Sequence, residues 1–159
     1  MKVIETIGHA SHNLSFYESF NGGVFPGDAA GTYIPQFDEV IPTAPPPFYL
    51  DSALASLDKI ISLSPTVLYY SHFGKVSNAV QRLDNYKKQL KLWGEIVQEG
   101  VEENQSFEEI RVRILQEDMV MSKLAPFLSS HPIYSITALV NTIQGFIDYI
   151  KRIQAKEAS

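Results

Sequence analysis

The sequence contains no cysteine, which excludes a disulfide framework, a thiolate metal site and a cysteine nucleophile. Basic residues are also few: 13 Lys and Arg stand against 18 Asp and Glu, giving a formal net charge of -5. This balance leaves no basic stripe for nucleic acid. No apolar run approaches the ~18 residues of a membrane span, and the first residues lack the basic-then-apolar order of a signal peptide. The composition therefore predicts a cytoplasmic protein with neither nucleic acid nor membrane as partner.

Two zones of different character meet near Asn78. At 159 residues the chain is long enough for one domain with a sizeable core, or for a small domain with an extension. Glycine, proline and aromatic residues are dense over 1–77, whereas 78–159 has long helical periodicity. We therefore predict an α/β unit at 1–77 and a helical carboxyl-terminal extension at 78–159, which packs on that unit or on a partner.

Short β-rich runs in the first zone predict three strands, at 2–7, 13–19 and 23–26. The dipeptide Asn21-Gly22 predicts that the second and third strands form a hairpin. Apolar residues at helical spacing behind Asp51, a good N-cap, predict a helix that ends before Pro65. A buried strand is predicted at 66–70.

Three helices are predicted in the second zone. The first covers 78–99 and ends at Gly100, a natural carboxyl-terminal stop. The capping box at 106–109 begins a second helix, which runs to about Ser122. A third helix begins near Pro132 and carries a wide stripe of Ile, Leu and Phe residues. We favour core packing for that stripe over contact with a partner.

Three loops with ligand-type residues follow predicted strands, at 8–13, 25–30 and 70–74. The carboxyl ends of strands are where α/β sheets bind ligands. Each loop contains glycine, which permits a sharp turn and a close backbone approach. Two histidines and a carboxylate, namely His9, Asp28 and His72, would suit a metal such as zinc.

Each of these residues also has an ordinary structural interpretation. Gly-Asp is a common turn signal, and a histidine in a turn is often just hydrogen-bonded. His12 is interpreted as a ligand, as a group that orients a ligand, or as a surface residue. His131 precedes Pro132, so we interpret it as flanking the last helix.

The aromatic and proline-rich segment 33–49 has two equally favoured interpretations. Its side chains, including Tyr33, Phe48 and Tyr49, line an apolar wall for a substrate, or they pack the loop. Trp93 and Tyr86 lie in an amphipathic helix and are interpreted as packing residues.

The order of four stretches resembles a known family. GHASHNLSFYE, GGVFPGDAAG, VIPTAPPPFYLDSALASLDKIISLSP and VLYYSHFG together resemble the carboxyl-terminal half of a metallo-β-lactamase-fold hydrolase, close to glyoxalase II and lactonase-like enzymes. The resemblance implies half of an αββα sandwich. It also implies that His9 and His72 each bind one of two zinc ions, with iron or manganese as alternatives, and that Asp28 bridges the ions and is catalytic. His12 would orient a ligand.

One part of that family's pattern is absent from this sequence. The family signature His-x-His-x-Asp-His supplies two histidines to one metal and an Asp-His pair to the other, and no His-x-His occurs here. The implied function is hydrolysis of a small-molecule ester, thioester or lactone, with this chain inactive alone. Its site would be completed by a missing amino-terminal half or by a second copy in a homodimer. The alternative is a non-catalytic helical interaction module with relic metal loops. Metal-free acid/base catalysis is disfavoured, because no nucleophile is identified.

Overall fold

The computed structural model describes residues 1–72, 74–130 and 136–157. Five strands form the main sheet, in the spatial order β1 (Lys2–Glu5), β2 (Leu14–Glu18), β3 (Gly23–Phe25), β6 (Val67–Tyr69) and β7 (Lys75–Ser77). A separate antiparallel hairpin consists of β4 (Thr32–Ile34) and β5 (Glu39–Ile41).

The helices are α1 (Leu50–Ile61), α2 (Ala79–Glu102), α3 (Phe107–Glu117), α4 (Met119–Ser130) and α5 (Ile136–Glu157). A short 3-10 turn, Gly27–Ala30, lies between β3 and β4. Within the described ranges, no helix combines the length and the apolar character needed to cross a membrane. The described residues thus form a mixed α/β fold with a main sheet and five helices.

Strand direction brings the predicted loops to one edge of the sheet. β1 and β3 both run antiparallel to β2, and β6 runs parallel to β3. The carboxyl ends of β1, β3 and β6 therefore lie at the same edge. The four predicted strands and the hairpin at Asn21-Gly22 are confirmed, with Gly22 in the left-handed region at φ 66°.

The two faces of the sheet have different surroundings. One face directs Ile4, Val24 and Leu68 into the core. The other face carries Val3, Phe16 and Phe25, which are cross-strand neighbours and are 57%, 37% and 42% exposed. Phe25 also stacks on Tyr69, with ring centroids 4.7 Å apart. We call Val3, Phe16 and Phe25 the outer stripe.

The hydrophobic core is continuous from the sheet into the helices. It includes Leu57 of α1, Trp93 of α2 and Phe146 of α5, all fully buried. The Trp93 and Phe146 rings lie 5.8 Å apart. The apolar stripe of the last helix is thus packed against α2, as favoured from the sequence. The boundary between 1–77 and 78–159 stays a prediction.

Three predicted helix ends are wrong. Tyr49, and not Asp51, is the N-cap of α1, because the Asp51 carboxylate instead accepts a hydrogen bond from Tyr149. Gly100 does not end α2, since it lies inside the helix where Ile110 packs closely against it. The helix predicted to reach Ser122 ends at Glu117.

The break after α3 is caused by Asp118. Its backbone is extended, and its Oδ1 accepts hydrogen bonds from the backbone N–H groups of Val120 and Met121 at 2.8 and 3.3 Å. Those N–H groups belong to the first turn of α4, so Asp118 starts a new helix. Strands β4, β5 and β7 were not predicted. The predictions at Phe73, His131 and Pro132 lie outside the described residues.

Candidate metal centre

Two predicted histidine ligands from separate loops converge on the third predicted ligand, the carboxylate of Asp28. His9 Nε2 lies 3.6 Å from Asp28 Oδ2, and His72 Nε2 lies 3.5 Å from Asp28 Oδ1. The side chains of His9 and Asp28 are 20% and 30% exposed, while that of His72 is 54% exposed. Each histidine therefore faces a different oxygen of Asp28, and the site opens to solvent on the His72 side.

Asp28 is held by the tight turn that follows β3. Gly27 has φ 60°, and a Cβ there would lie 2.9 Å from the Asn13 side-chain oxygen. This position suits glycine for both reasons. The turn closes with Gly31 N–H donating to the Asp28 carbonyl at 3.1 Å. The Thr43 hydroxyl donates to the same carbonyl at 3.3 Å.

A small polar network joins this turn to the first loop. The Thr6 and Ser15 hydroxyls, both fully buried, lie 2.8 Å apart. Ser15 donates to the Pro26 carbonyl at 3.0 Å, and the Asn13 amide donates to Thr6 at 2.9 Å. Because buried polar groups require partners, this network favours one arrangement of the two loops.

The ring of His9 is oriented by a backbone carbonyl. Its Nδ1 lies 2.9 Å from the Thr43 carbonyl oxygen. A carbonyl only accepts, so Nδ1 carries the proton, and in neutral His9 the Nε2 lone pair faces Asp28. Two electron-rich atoms that face each other favour a cation between them. A hydrogen bond to the distal nitrogen is also how metal-binding histidines are oriented.

His72 lies in the hairpin between β6 and β7. The hairpin is closed by Tyr70 N–H donating to the Gly74 carbonyl at 3.0 Å. This turn directs His72 back toward Asp28 at the shared sheet edge.

The spacing of the three side chains leaves room for a cation between Asp28 and each histidine. Ligands about 2.0–2.1 Å from one tetrahedral zinc stand about 3.4 Å apart, close to the observed 3.5 and 3.6 Å. Both distances exceed an ordinary hydrogen bond. Asp28 Oδ1 is buried and has no hydrogen-bond partner among the described residues. A cation at each oxygen would satisfy both observations.

The ligand set remains short of a closed cage. No group of three or more His, Asp or Glu side chains within 1–72, 74–130 and 136–157 forms a ready metal site. His9 and His72 approach different carboxylate oxygens, so each position has one imidazole and a shared carboxylate. A zinc site normally has three or four protein ligands. Imidazole and carboxylate groups are suitable zinc ligands, but these three side chains are too few to complete a zinc site.

The other candidate residues lie elsewhere. His12 is exposed, and no hydrogen bond or ion pair among the described residues joins it to Asp28. Phe48 is 1% exposed and packs on Phe146 at 4.8 Å between ring centroids. Tyr49 lies beneath the Arg152 guanidinium, 4.7 Å from its ring centroid.

Tyr33 belongs to a polar cluster on the β4–β5 hairpin. Its hydroxyl donates to Asp38 Oδ1 at 2.9 Å, and Arg82 pairs with the same carboxylate. Hydrogen bonds from Arg82 and then Tyr33 hold the pKa of Asp38 below its usual value. Burial, followed by the Asp38 contact, raises the pKa of Tyr33. This cluster anchors the hairpin to α2.

Sequence reasoning missed Thr43 and the cavity beside Trp93. Thr43 holds both His9 and the Asp28 turn, but nothing in its sequence context signals that role. Trp93 packs in the core as expected, and it also lines a cavity that His72 and Thr43 border. Helical periodicity predicts which face of a helix is buried, but it does not predict a cavity beside that face.

Comparisons with known proteins agree with this architecture. The model of the metallo-beta-lactamase superfamily matches residues 1–72, which include all three convergent side chains. The metallo-beta-lactamase fold-containing protein ST1585 of Sulfurisphaera tokodaii is 36% identical over 91 residues, which make up 57% of this chain and 32% of that protein.

Two solved structures also resemble the chain. A metallo-beta-lactamase family protein, TTHA1429 from Thermus thermophilus, matches 97% of this chain and 44% of its own, with a TM-score of 0.66 and 19% identity. At that identity the likeness concerns the fold alone. The crystal structure of ST1585, an archaeal metallo-beta-lactamase superfamily protein from Sulfolobus tokodaii, matches 92% of this chain and 45% of its own, with a TM-score of 0.55 and 27% identity.

This chain spans about a third of the curated relative, at 32%, and less than half of either solved chain, at 44% and 45%. Residues 1–72 of this chain are thus similar to the metallo-beta-lactamase superfamily, and the solved structures have a similar fold.

Proposed function

We propose that this chain supplies part of the site of a metal-dependent hydrolase that acts on a small ester, thioester or lactone. The observation that carries the proposal is the buried Oδ1 of Asp28, which has no hydrogen-bond partner in the described part of the chain, in a carboxylate flanked on both oxygens by imidazole nitrogens. A carboxylate in this position stabilises positive charge, and imidazole nitrogens are common metal ligands.

Zinc, with iron or manganese as alternatives, would supply an activated water at neutral pH and polarise a substrate carbonyl. Asp28 would hold the two positions at a fixed separation by binding through both oxygens. His9 would bind through Nε2, because Thr43 holds its Nδ1 proton. His72 is the most exposed of the three and would face the incoming substrate.

The remaining ligands would come from a further polypeptide segment or from a second copy of the chain. Support comes from the outer stripe of Val3, Phe16 and Phe25, an apolar row on the sheet that also carries the ligand loops. A sheet face of this kind is normally buried against another layer. The chain would then form half of an αββα sandwich with a helical extension, in the glyoxalase II and lactonase-like branch.

Zinc titration tests the ligand assignment directly. We expect the metal-free chain to bind zinc with changed ¹⁵N shifts at Nε2 of His9 and His72, while exposed His12 keeps its shift. Asp28→Asn keeps the size of the side chain and removes its charge, so it should weaken binding at least about tenfold, a loss of about 1.4 kcal/mol. Asp84→Asn on α2 is the matched control.

Equal affinity in Asp28→Asn and Asp84→Asn would refute the assignment. The completing segment is tested by sedimentation of the zinc-loaded chain and its Phe16→Ser variant. Zinc-dependent association that this substitution abolishes would support a second copy on the outer stripe. Hydrolysis of a small ester, thioester or lactone, measured for the zinc-loaded parent and for Asp28→Asn, then tests the proposed reaction.

A further inference from the structure

A cavity lies between the β4–β5 hairpin, α2 and the helices α4 and α5. Its free volume is about 210 Å³, and its walls include Ile41, Trp93, Met121, Leu128 and Leu139. The segment 33–49, which the sequence suggested as a substrate wall, contributes Ile41, Pro42 and Thr43 to the cavity, whereas Tyr33, Phe48 and Tyr49 are not among its described lining residues.

His72 connects this cavity to the candidate metal centre. It borders the cavity while its Nε2 lies 3.5 Å from Asp28 Oδ1. Thr43 also borders it, and its carbonyl orients His9. A molecule whose reacting group lay beside His72 could therefore extend its other end into the cavity.

The described residues that line the cavity disfavour binding of a charged group. Apart from His72, it has no titratable side chain, and its polar side chains are the hydroxyls of Thr32, Thr43 and Thr142. A charged group in such surroundings would lose hydration without gaining a partner. An apolar cavity of about 150 Å³ stays dry and binds benzene, so this one accommodates a single ring or a short alkyl chain.

The cavity wall is supported by buried hydrogen bonds. Trp93 Nε1 donates to Asp118 Oδ2 at 2.7 Å, and the Gln89 amide donates to the same oxygen at 2.8 Å. Asp118 is 3% exposed and also caps α4, the helix that carries Met121 and Leu128. Because one carboxylate joins two walls, the cavity is preformed.

From this geometry we infer that the cavity is the acyl-binding pocket for the reaction proposed above, and that it takes an uncharged alkyl or aromatic group. The inference names the substrate class and rests on the proposed function, but the binding it requires does not depend on metal. Esters, thioesters or lactones with short alkyl or phenyl acyl groups would be accepted, and those with charged acyl groups would be rejected.

The test uses the metal-free chain with EDTA, benzyl alcohol as the probe and protonated benzylamine as its charged counterpart. Trp93 is the only tryptophan, so its fluorescence reports on the cavity. Methyl-¹³C labelling of methionine gives a second reading, because Met121 borders the cavity while Met1 and Met119 are 80% and 83% exposed. We expect saturable shifts at Trp93 and Met121 alone, with benzylamine at least about tenfold weaker.

Ala138→Phe provides the blocking variant. Ala138 is exposed at the cavity rim on α5, so a larger side chain can cover the opening without entering the core. Ala155→Phe makes the same change at an exposed position near the other end of α5. We expect the first variant to weaken benzyl alcohol binding about tenfold or more, and the second to bind like the parent.

Equal effects at all three methionines, equal affinity for the two probes, or unchanged binding in Ala138→Phe would overturn the inference. Failure of the proposed function is recognised separately, because a chain that binds no zinc would still bind benzyl alcohol in this cavity. Pocket binding together with hydrolysis that ignores acyl charge would also overturn the assignment of the cavity to the acyl group.

Discussion

Replacing Gly145 with alanine should destabilise the fold, although alanine is the better helix former. Gly145 lies within α5, and a Cβ at this position would be 1.8 Å from the Ala44 carbonyl oxygen and 3.2 Å from Phe48 Cβ. Nonbonded contacts to Cβ essentially never fall below 3.0 Å, so the helix or the loop must shift by more than about 1 Å. The obstacle is backbone, which cannot rotate away as a side chain can.

The expected magnitude follows from two opposing effects. Overpacking a well-filled site costs about 1–3 kcal/mol, and a shift of this size also strains the contact of Thr142 Oγ1 with Ala44 N–H, now 3.4 Å. Alanine in place of glycine within a helix stabilises the helix by about 1 kcal/mol. We therefore expect a net loss of up to about 2 kcal/mol in the free energy of unfolding, or up to about 8 °C in melting temperature.

Gly94→Ala is the matched control. Gly94 is also buried within a helix, α2, but its nearest obstacle is the terminal Leu50 Cδ2 at 2.6 Å, which a rotamer change can move. Urea unfolding of both variants should show a lower midpoint for Gly145→Ala with an unchanged slope, and a smaller or opposite change for Gly94→Ala. If both variants were equally stable, the close approach of α5 to residue 44 would be refuted.

Two further predictions concern buried polar groups. Asp118→Ala should lower the free energy of unfolding by about 3 kcal/mol or more, because it leaves the buried Trp93 and Gln89 donors unpaired and removes the cap of α4. A loss of stability in urea unfolding no larger than that of Asp84→Ala would contradict this prediction. Stability should also fall at alkaline pH, because burial raises the pKa of Tyr33, Tyr70, Tyr86 and Tyr149, that of Tyr149 to about 12. In the unfolded chain these tyrosines ionise near pH 10, so their contribution to stability is complete below about pH 10 and is lost as the pH rises through their raised pKa values in the folded chain. A free energy of unfolding that stays level from about pH 8 to about pH 11 would contradict this prediction.

The strands that bring the ligands together could be predicted from the sequence. Short β-rich runs bounded by turn residues gave β1, β2, β3 and β6, and a ligand-type residue after three of them marked the shared edge. The convergence of His9, Asp28 and His72 then follows from strand direction alone. Local pattern was sufficient here because each side chain lies within a few residues of its strand.

The helix ends could not be predicted because tertiary partners decide them. Asp51 has the composition of an N-cap, but Tyr149, almost a hundred positions later, takes its carboxylate. Gly100 is a typical helix-ending residue, but it lies inside α2, where Ile110 fills the space that a side chain would need. Asp118 interrupts a continuous helical pattern by capping a new helix with its own carboxylate, which Trp93 and Gln89 of α2 hold in place.

The loop after β5 connects the helical layer to the candidate metal centre. Thr43 orients His9 through its carbonyl and supports the Asp28 turn through its hydroxyl. The next residue, Ala44, contacts α5 through Gly145 and Thr142. A displacement of α5 would therefore move the group that fixes the His9 ring, although α5 supplies no ligand. Since α5 also borders the cavity, the helices after residue 78 act on the same edge of the sheet as the ligand loops. The close approach of Gly145 and the hydrogen bond of Thr142 both fall on Ala44, the residue beside Thr43.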